Sequence, residues 1–273
     1  MPAMRAFRIA YDGRPYHGFQ RQPDVPTVDG RLLDGLRTLG VAGEEPPPGY
    51  AAAGRTDAGV SAAAQTVAFE APDWLSPAAF NSELPESIRA WASAAAPPSF
   101  HATHHAARRT YTYFLYAPEA DESAARRALA ALDGDHDFHN FTPDDSGTRR
   151  VLSTGLDRDG PLFALTFSAG GFARQLVRRL VSVVAETARG RADRDRIDRL
   201  LGPDALSGPE GVEPAAPEPL VLTDVEYPDL SFEVDSDAAA TARAVFERLR
   251  AERTASARVA GSVSDVIENE GSQ

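Results

Sequence analysis

The chain has 273 residues, no cysteine, and a net charge of −12 from 40 acidic and 28 basic residues, every basic one an arginine. That length holds one large or two small domains. The missing cysteines exclude a disulfide framework and a thiolate metal site, and no apolar run is long enough to span a bilayer. Residues 1–7 lack the apolar core of a signal peptide, so a soluble cytoplasmic protein is expected. A strongly acidic, lysine-free composition fits a halophilic, high-salt cytoplasm or a GC-rich genome, since high ionic strength screens charge repulsion over a few ångströms. Evenly spread acidity argues against a nucleic-acid partner. The arginines, however, cluster at Arg108-Arg109, at Arg149-Arg150 and between Arg174 and Arg179.

Residues 4–12 alternate, with Phe7, Ile9 and Tyr11 on one side and Arg8 and Ala10 on the other, the pattern of a half-buried strand. A loop over 13–22 carries Tyr16-His17-Gly18-Phe19-Gln20-Arg21-Gln22. Thr27 is placed to cap a helix with the stripe Val28, Leu32, Leu36 and Leu39. A proline-rich turn at 44–49 precedes the loop Gly54-Arg55-Thr56-Asp57-Ala58-Gly59-Val60. A strand over 66–70 follows, then a short helix opened by Ser76-Pro77 and a strand over 88–95. Pro97-Pro98 marks a domain boundary. His101, His104 and His105 come next, without the carboxylate or cysteine that a metal site needs, so no metal is expected.

The second half reads as a strand over 108–117, with Tyr111 and Tyr113 on one face, and a helix over 122–132. An aromatic loop at 136–142 leads to a hairpin of 151–158 and 161–168, turned at Asp159-Gly160. A long helix over 172–188 ends at Gly190, with a further helix over 193–201. A Pro/Gly/Glu loop at 208–219 precedes a strand over 220–227 and a helix over 237–253. From Thr254 on the chain is expected to fray. These elements predict an α+β fold of two units, 1–100 and 101–253, with an acidic tail over 254–273.

The glycines flanking Arg55-Thr56-Asp57 let the backbone turn sharply and approach a ligand closely. The loop reads as a connection at the edge of a sheet. On its residues alone two readings stand. One is an Asx-turn with a local ion pair. The other is an arginine that holds an anionic backbone while Asp57 does chemistry.

Taken together, these segments resemble the tRNA pseudouridine synthase A family from Tyr11 to about Tyr227. The Gly54–Val60 loop is similar to the family's catalytic motif, whose Asp is the essential residue. Residues 16–22 resemble its N-terminal loop, and Asn81 with Leu84-Pro85 its mid-domain segment. Arg109-Thr110-Tyr111-Thr112-Tyr113 resembles the second motif, whose first tyrosine packs on the target base. Asp137-Phe138 with Phe141 follows another family stretch. Leu176-Val177-Arg178 resembles the third motif, whose arginine pairs with the catalytic Asp. Six agreements in family order are far more specific than any one of them. Ser61 stands where many bacterial members have His, and Arg179 where they often have Asn. The last helix and the tail extend beyond the short bacterial C-terminus and lean toward an archaeal relative.

The resemblance implies two ferredoxin-like (RRM-like) domains with antiparallel sheets side by side and an active-site cleft between them. It implies a homodimer that isomerises uridine to pseudouridine in the tRNA anticodon stem-loop, at positions 38 to 40. The N1–C1′ bond breaks, the uracil turns, and C5 bonds to C1′; no redox step, phosphoryl transfer or cofactor is required. Asp57 is then the catalytic carboxylate, by covalent attack or by removing a proton from the sugar. Arg178 would favour its charged form. Tyr111 would hold the flipped base, its hydroxyl being available for the C5 proton. Arg55, Thr56, Gln20, Arg21 and Arg109 are the expected substrate-binding residues. A basic cleft, with part of the Arg108-Arg109 and Arg149-Arg150 pairs, is expected within an acidic shell. Two rivals differ in class. A non-catalytic RNA-binding protein of the same fold would not require Asp57. A glycosidase-like enzyme needs two carboxylates flanking the bond, and only one acid sits in a suitable loop.

Overall fold

In the computed structural model, which describes residues 2–206 and 208–271, ten strands form one sheet. The elements in chain order are β1 (Ala3–Tyr11), α1 (Val28–Thr38), β2 (Ala51–Ala52), β3 (Ser61–Ala71), α2 (Pro77–Asn81), β4 (Ile88–Ala95), β5 (Arg108–Tyr116), α3 (Glu122–Leu132), β6 (Gly134–Asp137), β7 (Arg149–Asp159), β8 (Leu162–Ala169), α4 (Leu176–Ala188), α5 (Arg194–Leu200), β9 (Leu220–Glu226), β10 (Glu233–Val234) and α6 (Ser236–Gly271). Across the sheet the order is β10-β4-β1-β3-β9-β5-β8-β7-β6, with β2 paired to β3 off this path. The chain is thus a mixed α+β protein with a single large sheet.

Helices begin where a short polar side chain can accept from a free N–H group. Thr27 accepts from Gly30 N at 3.2 Å, and Ser76 from Ala79 N at 3.0 Å, with Pro77 in the first turn. Asp121 and Asp193 cap α3 and α5 in the same way. Leu32, Leu33 and Leu36 of α1 are fully buried. Phe7, Phe69 and Phe80 pack together, the first two stacked at 5.2 Å between ring centroids and the third edge-on to both.

The strand expected to be half-buried is buried on both faces from Ala6 to Tyr11, Arg8 included. β1 lies inside the sheet, and the segment after β9 covers its second face: the Arg8 guanidinium sits 4.3 Å from the Phe232 ring centroid and donates to Ala64 O and Thr66 Oγ1. The loop at 54–60 is not at a sheet edge either. It joins β2 to β3, and β3 is central. There β3 meets β9 through a parallel pairing of only Ser61 with Val221 and Ala62 with Leu222.

Three further boundaries differ from expectation. Residues 172–175 are not helical. Asp144 accepts from Arg174 N at 2.8 Å, Thr142 Oγ1 donates to Arg174 O at 2.9 Å, and Gln175 adopts φ +61°, so the backbone groups that would open the helix are tied to the 142–144 loop. The start of the expected aromatic loop pairs with β7 as β6, whose sequence Gly-Asp-His-Asp shows no apolar alternation to betray it. The last helix does not end at Arg253 but runs to Gly271, with residues 254–268 exposed. No proline interrupts that stretch, and alanine, arginine and glutamate favour helix. Residues 272 and 273 of the expected tail lie outside the described residues.

Arg109 requires a correction. It was expected to contact substrate, yet it is 8% exposed and all its donors are engaged. Nε and Nη2 donate to Ala53 O at 3.2 and 2.7 Å, Nη1 to Ala106 O at 3.2 Å and to Gly170 O, and Nη2 also to Thr103 O at 2.6 Å. One guanidinium, with five N–H donors in a fixed fork, therefore ties β5 to the lead-in of the 54–60 loop, to the 103–106 linker and to the end of β8. Replacing Arg109 by Leu leaves four carbonyls without this donor. A loss of about 3 kcal/mol or more in folding stability is expected, to be read from denaturant unfolding at high salt.

Candidate active site

The 54–60 loop is held from beneath. Tyr11 Oη and Thr56 Oγ1 share a hydrogen bond of 2.8 Å. Burial pushes the Tyr11 hydroxyl up to about 12, so it stays neutral as a partner at ordinary pH. Phe19 N donates to Thr56 O at 3.0 Å, and Gly59 N to Tyr16 O at 3.4 Å. Gly13 lies so close that a Cβ on it would stand 2.0 Å from Val60 O, and only glycine allows that approach. Ser61 accepts from Gly13 N at 3.1 Å, so its hydroxyl helps to hold the loop.

Asp57 projects from this loop to Arg178 of α4. Asp57 Oδ2 and Arg178 Nη1 are 2.9 Å apart, the carboxylate side chain 32% exposed and the guanidinium side chain 13%. Arg178 Nε donates to Ala215 O at 2.6 Å, while Ala215 N donates back to Arg178 O at 3.1 Å. The loop before β9 thus aims the guanidinium. Arg179 supports the same loop through Val212 O, and Arg196 reaches Gly211 O at 3.2 Å.

Tyr111, on β5, is 9% exposed and stands edge-on to Phe172, with ring centroids 5.2 Å apart. Burial raises its hydroxyl pKa well above the ordinary tyrosine value, and Tyr11 and Asp57 push the same way against Arg109. At neutral pH the group is a protonated phenol, able to donate a hydrogen bond.

These groups line one cleft of about 1460 Å³. All eight predicted site residues border it, but they differ in what is free to meet a ligand. Thr56 is 7% exposed with its hydroxyl bound to Tyr11, and Arg109 is spent on backbone carbonyls. Gln20, Arg21 and Arg55 are exposed; Arg21 lies 3.2 Å from Asp29, and Arg55 has no ion pair among the described residues. Arg174, at 3.3 Å from Asp144, is a cation on the cleft wall that sequence reasoning left in a cluster without a role. Of the two arginine pairs expected to contribute, Arg109 of the first borders the cleft and Arg108 does not, while neither Arg149 nor Arg150 borders it, contrary to expectation. Arg108 pairs with Glu226 at 3.7 Å, and Arg149 with Asp135 at 3.0 Å near the far edge of the sheet. Sequence reasoning also missed Ala215, because a carbonyl acceptor leaves no mark in a side-chain pattern.

Five arginines and three aspartates line the cleft of a protein whose net charge is −12, so the cleft is locally cationic. A carboxylate held by one guanidinium, beside an aromatic wall and ringed by exposed arginines, can work on a planar group carried by a polyanion.

A family model described as tRNA pseudouridine synthase matches residues 128–228, a span that holds Arg178 and leaves Asp57 and Tyr111 outside it. The chain is 58% identical to the tRNA pseudouridine synthase A of Haloarcula marismortui over 273 residues, covering 96% of this chain and 99% of that relative. It is 60% identical to that of Natronomonas pharaonis over 264 residues, with the same coverage. Identity to that of Archaeoglobus fulgidus is 38% over 246 residues, covering 89% of this chain and 90% of the relative. Similarity of this order along nearly the whole length shows that the chain belongs to the tRNA pseudouridine synthase A family of isomerases.

Proposed function

We propose that the protein isomerises uridine to pseudouridine in tRNA, with Asp57 as the reacting carboxylate on a flipped nucleotide. The observation that carries this is the 2.9 Å contact of Asp57 with Arg178 in a cleft walled by Tyr111. In the reaction C1′–N1 breaks and C1′–C5 forms, while a proton leaves C5 and one ends on N1. The balance needs no oxidant and no cofactor. Asp57 attacks covalently or takes a proton from the sugar. Arg178 keeps the carboxylate oriented, and Tyr111 offers a ring face to a base out of its stack. Exposed Arg21, Arg55 and Arg174, with Gln20, are the groups for the RNA backbone and its neighbours.

The finer features follow from the family. We read the sheet as two ferredoxin-like halves, 1–100 and 101–253, meeting at β3 and β9. The target is the anticodon stem-loop, and the setting a high-salt cytoplasm. A homodimer is supported by the outward face of β5, where Phe114 and Tyr116 are 46% and 65% exposed.

The reading is tested by mapping pseudouridine in unmodified tRNA incubated with the pure protein in molar salt. Asp57→Asn is expected to bind RNA nearly as wild type and to form no pseudouridine; turnover by purified Asn variant counts against Asp57. Tyr111→Ala is expected to weaken RNA binding by about 1–3 kcal/mol, and Tyr111→Phe to bind like wild type; equal affinity of wild type and Ala excludes the stacking role. Three exposed arginines predict a shallow salt dependence. A log–log slope near −2 is expected, from roughly 0.7 per phosphate contact on single strands, and a slope that demands about ten contacts contradicts it.

A further inference from the structure

α6 is anchored by two ion pairs, both at the end of the sheet that carries the 54–60 loop. Arg248 meets Glu86 at 2.5 Å, and Arg253 Nη2 meets Asp12 Oδ2 at 2.6 Å. The second is unusual for its setting. The Asp12 side chain is only 10% exposed, whereas Arg253 is 39% exposed and reaches inward to it. A carboxylate so far removed from water is costly without a cation, and among the described residues Arg253 is the one cation paired with it.

Asp12 is the residue before Gly13, and from there the contacts run without a gap to the reacting loop. Asp12 N donates to Ser87 O at 3.0 Å, and Tyr16 Oη shares a 2.6 Å hydrogen bond with Ser87 Oγ. Gly13 N donates to Ser61 Oγ, and its backbone presses on Val60 with no room for a methyl group. Tyr16 N donates to Gly13 O at 3.0 Å, and Tyr16 O accepts from Gly59 N, two residues past Asp57. The links are hydrogen bonds of 2.6–3.4 Å, two of them through serine hydroxyls, together with the tight Gly13–Val60 backbone contact, so a shift of Asp12 is passed along the 13–19 loop toward residues 57–61.

We propose that Arg253 is a positioning residue: by holding Asp12 it sets the height of the 13–19 loop and hence the placement of Asp57 against Arg178. The inference rests on Asp57 as the reacting group. It gives the C-terminal helix, which extends past the bacterial pattern, a task in catalysis that its distance along the chain conceals. A misplacement well under the size of an atom is enough, because about 1 Å at a reacting group can cost a hundredfold in rate.

The experiment compares Arg253→Met, Arg253→Lys and Asp12→Asn with wild type in the full chain, measuring kcat and KM on unmodified tRNA together with the melting temperature. Arg250→Ala serves as control, since Arg250 is exposed and, among the described residues, pairs only within its own helix with Glu247. Arg253→Met and Asp12→Asn are expected to lower kcat about tenfold or more with KM within about twofold, the signature of lost transition-state placement rather than lost binding. Arg253→Lys, which keeps a cation at Asp12, is expected to recover most of kcat, and Arg250→Ala to match wild type. An unchanged kcat with a lower melting temperature makes the contact merely structural and overturns the inference. So does a raised KM at constant kcat, or a Lys variant as impaired as Met. If Met does not fold, the Lys and Asn variants decide alone. Asp57→Asn run alongside separates the two failures: an active Asn variant removes the reading of Asp57, whereas an inactive one with normal Arg253→Met kinetics removes only the clamp.

Discussion

The Asp57–Arg178 contact is made by groups 121 residues apart, one on a loop leading into β3 and the other in the first turn of α4. The pair is partly buried, its guanidinium 13% and its carboxylate 32% exposed, and the cost of taking two charges out of water offsets much of their attraction, so it does not by itself draw two halves of a protein together. The scaffold must bring the groups to 2.9 Å and the pair merely reports it. That explains the density of structural contacts around so small a site. Arg109 ties three segments to β5, Ala215 grips both the backbone and the guanidinium of Arg178, and Tyr11 fixes Thr56 next to Asp57.

The acidity of the chain is compatible with an anionic partner because charge is sorted by place. Arginine–carboxylate pairs recur on the outer surface, as in Arg126 with Glu122 or Arg194 with Asp198, where they neutralise locally. In the cleft the arginines outnumber the acids, and Arg55 is unpaired among the described residues. With the Debye length near 3 Å in molar salt, a distant acidic shell has little influence on a ligand in contact with those guanidinium groups. Composition alone misleads here, since it averages over a geometry that screening makes local.

Much of this was legible in the residues. Short polar caps at Thr27 and Ser76 marked helix starts because their chemistry is local, and the glycine-flanked Asp57 stood out for the same reason. What stayed hidden depended on partners remote in sequence. Arg109 looked like a surface cation until its carbonyl acceptors at Ala53, Thr103, Ala106 and Gly170 came together. The start of α4 moved because Asp144 and Thr142 claim the backbone of Arg174. β6 carries no apolar alternation, and α6 is exposed over residues 254–268, so periodicity could find neither β6 nor that extension beyond Arg253. Arg8 is the clearest case: a charged residue in an alternating strand reads as outward-facing, and only the later arrival of Phe232 buries it.

The sheet is continuous, yet its ladders are uneven. β1 and β3 pair at eight positions, β5 and β8 at eight, but β3 and β9 at two. Val60 and Leu220, which flank those two rungs, also line the cleft, so the backbone ladder is thinnest where the two walls meet and their join rests on groups that reach across it, such as the Arg109 guanidinium on Ala53 O.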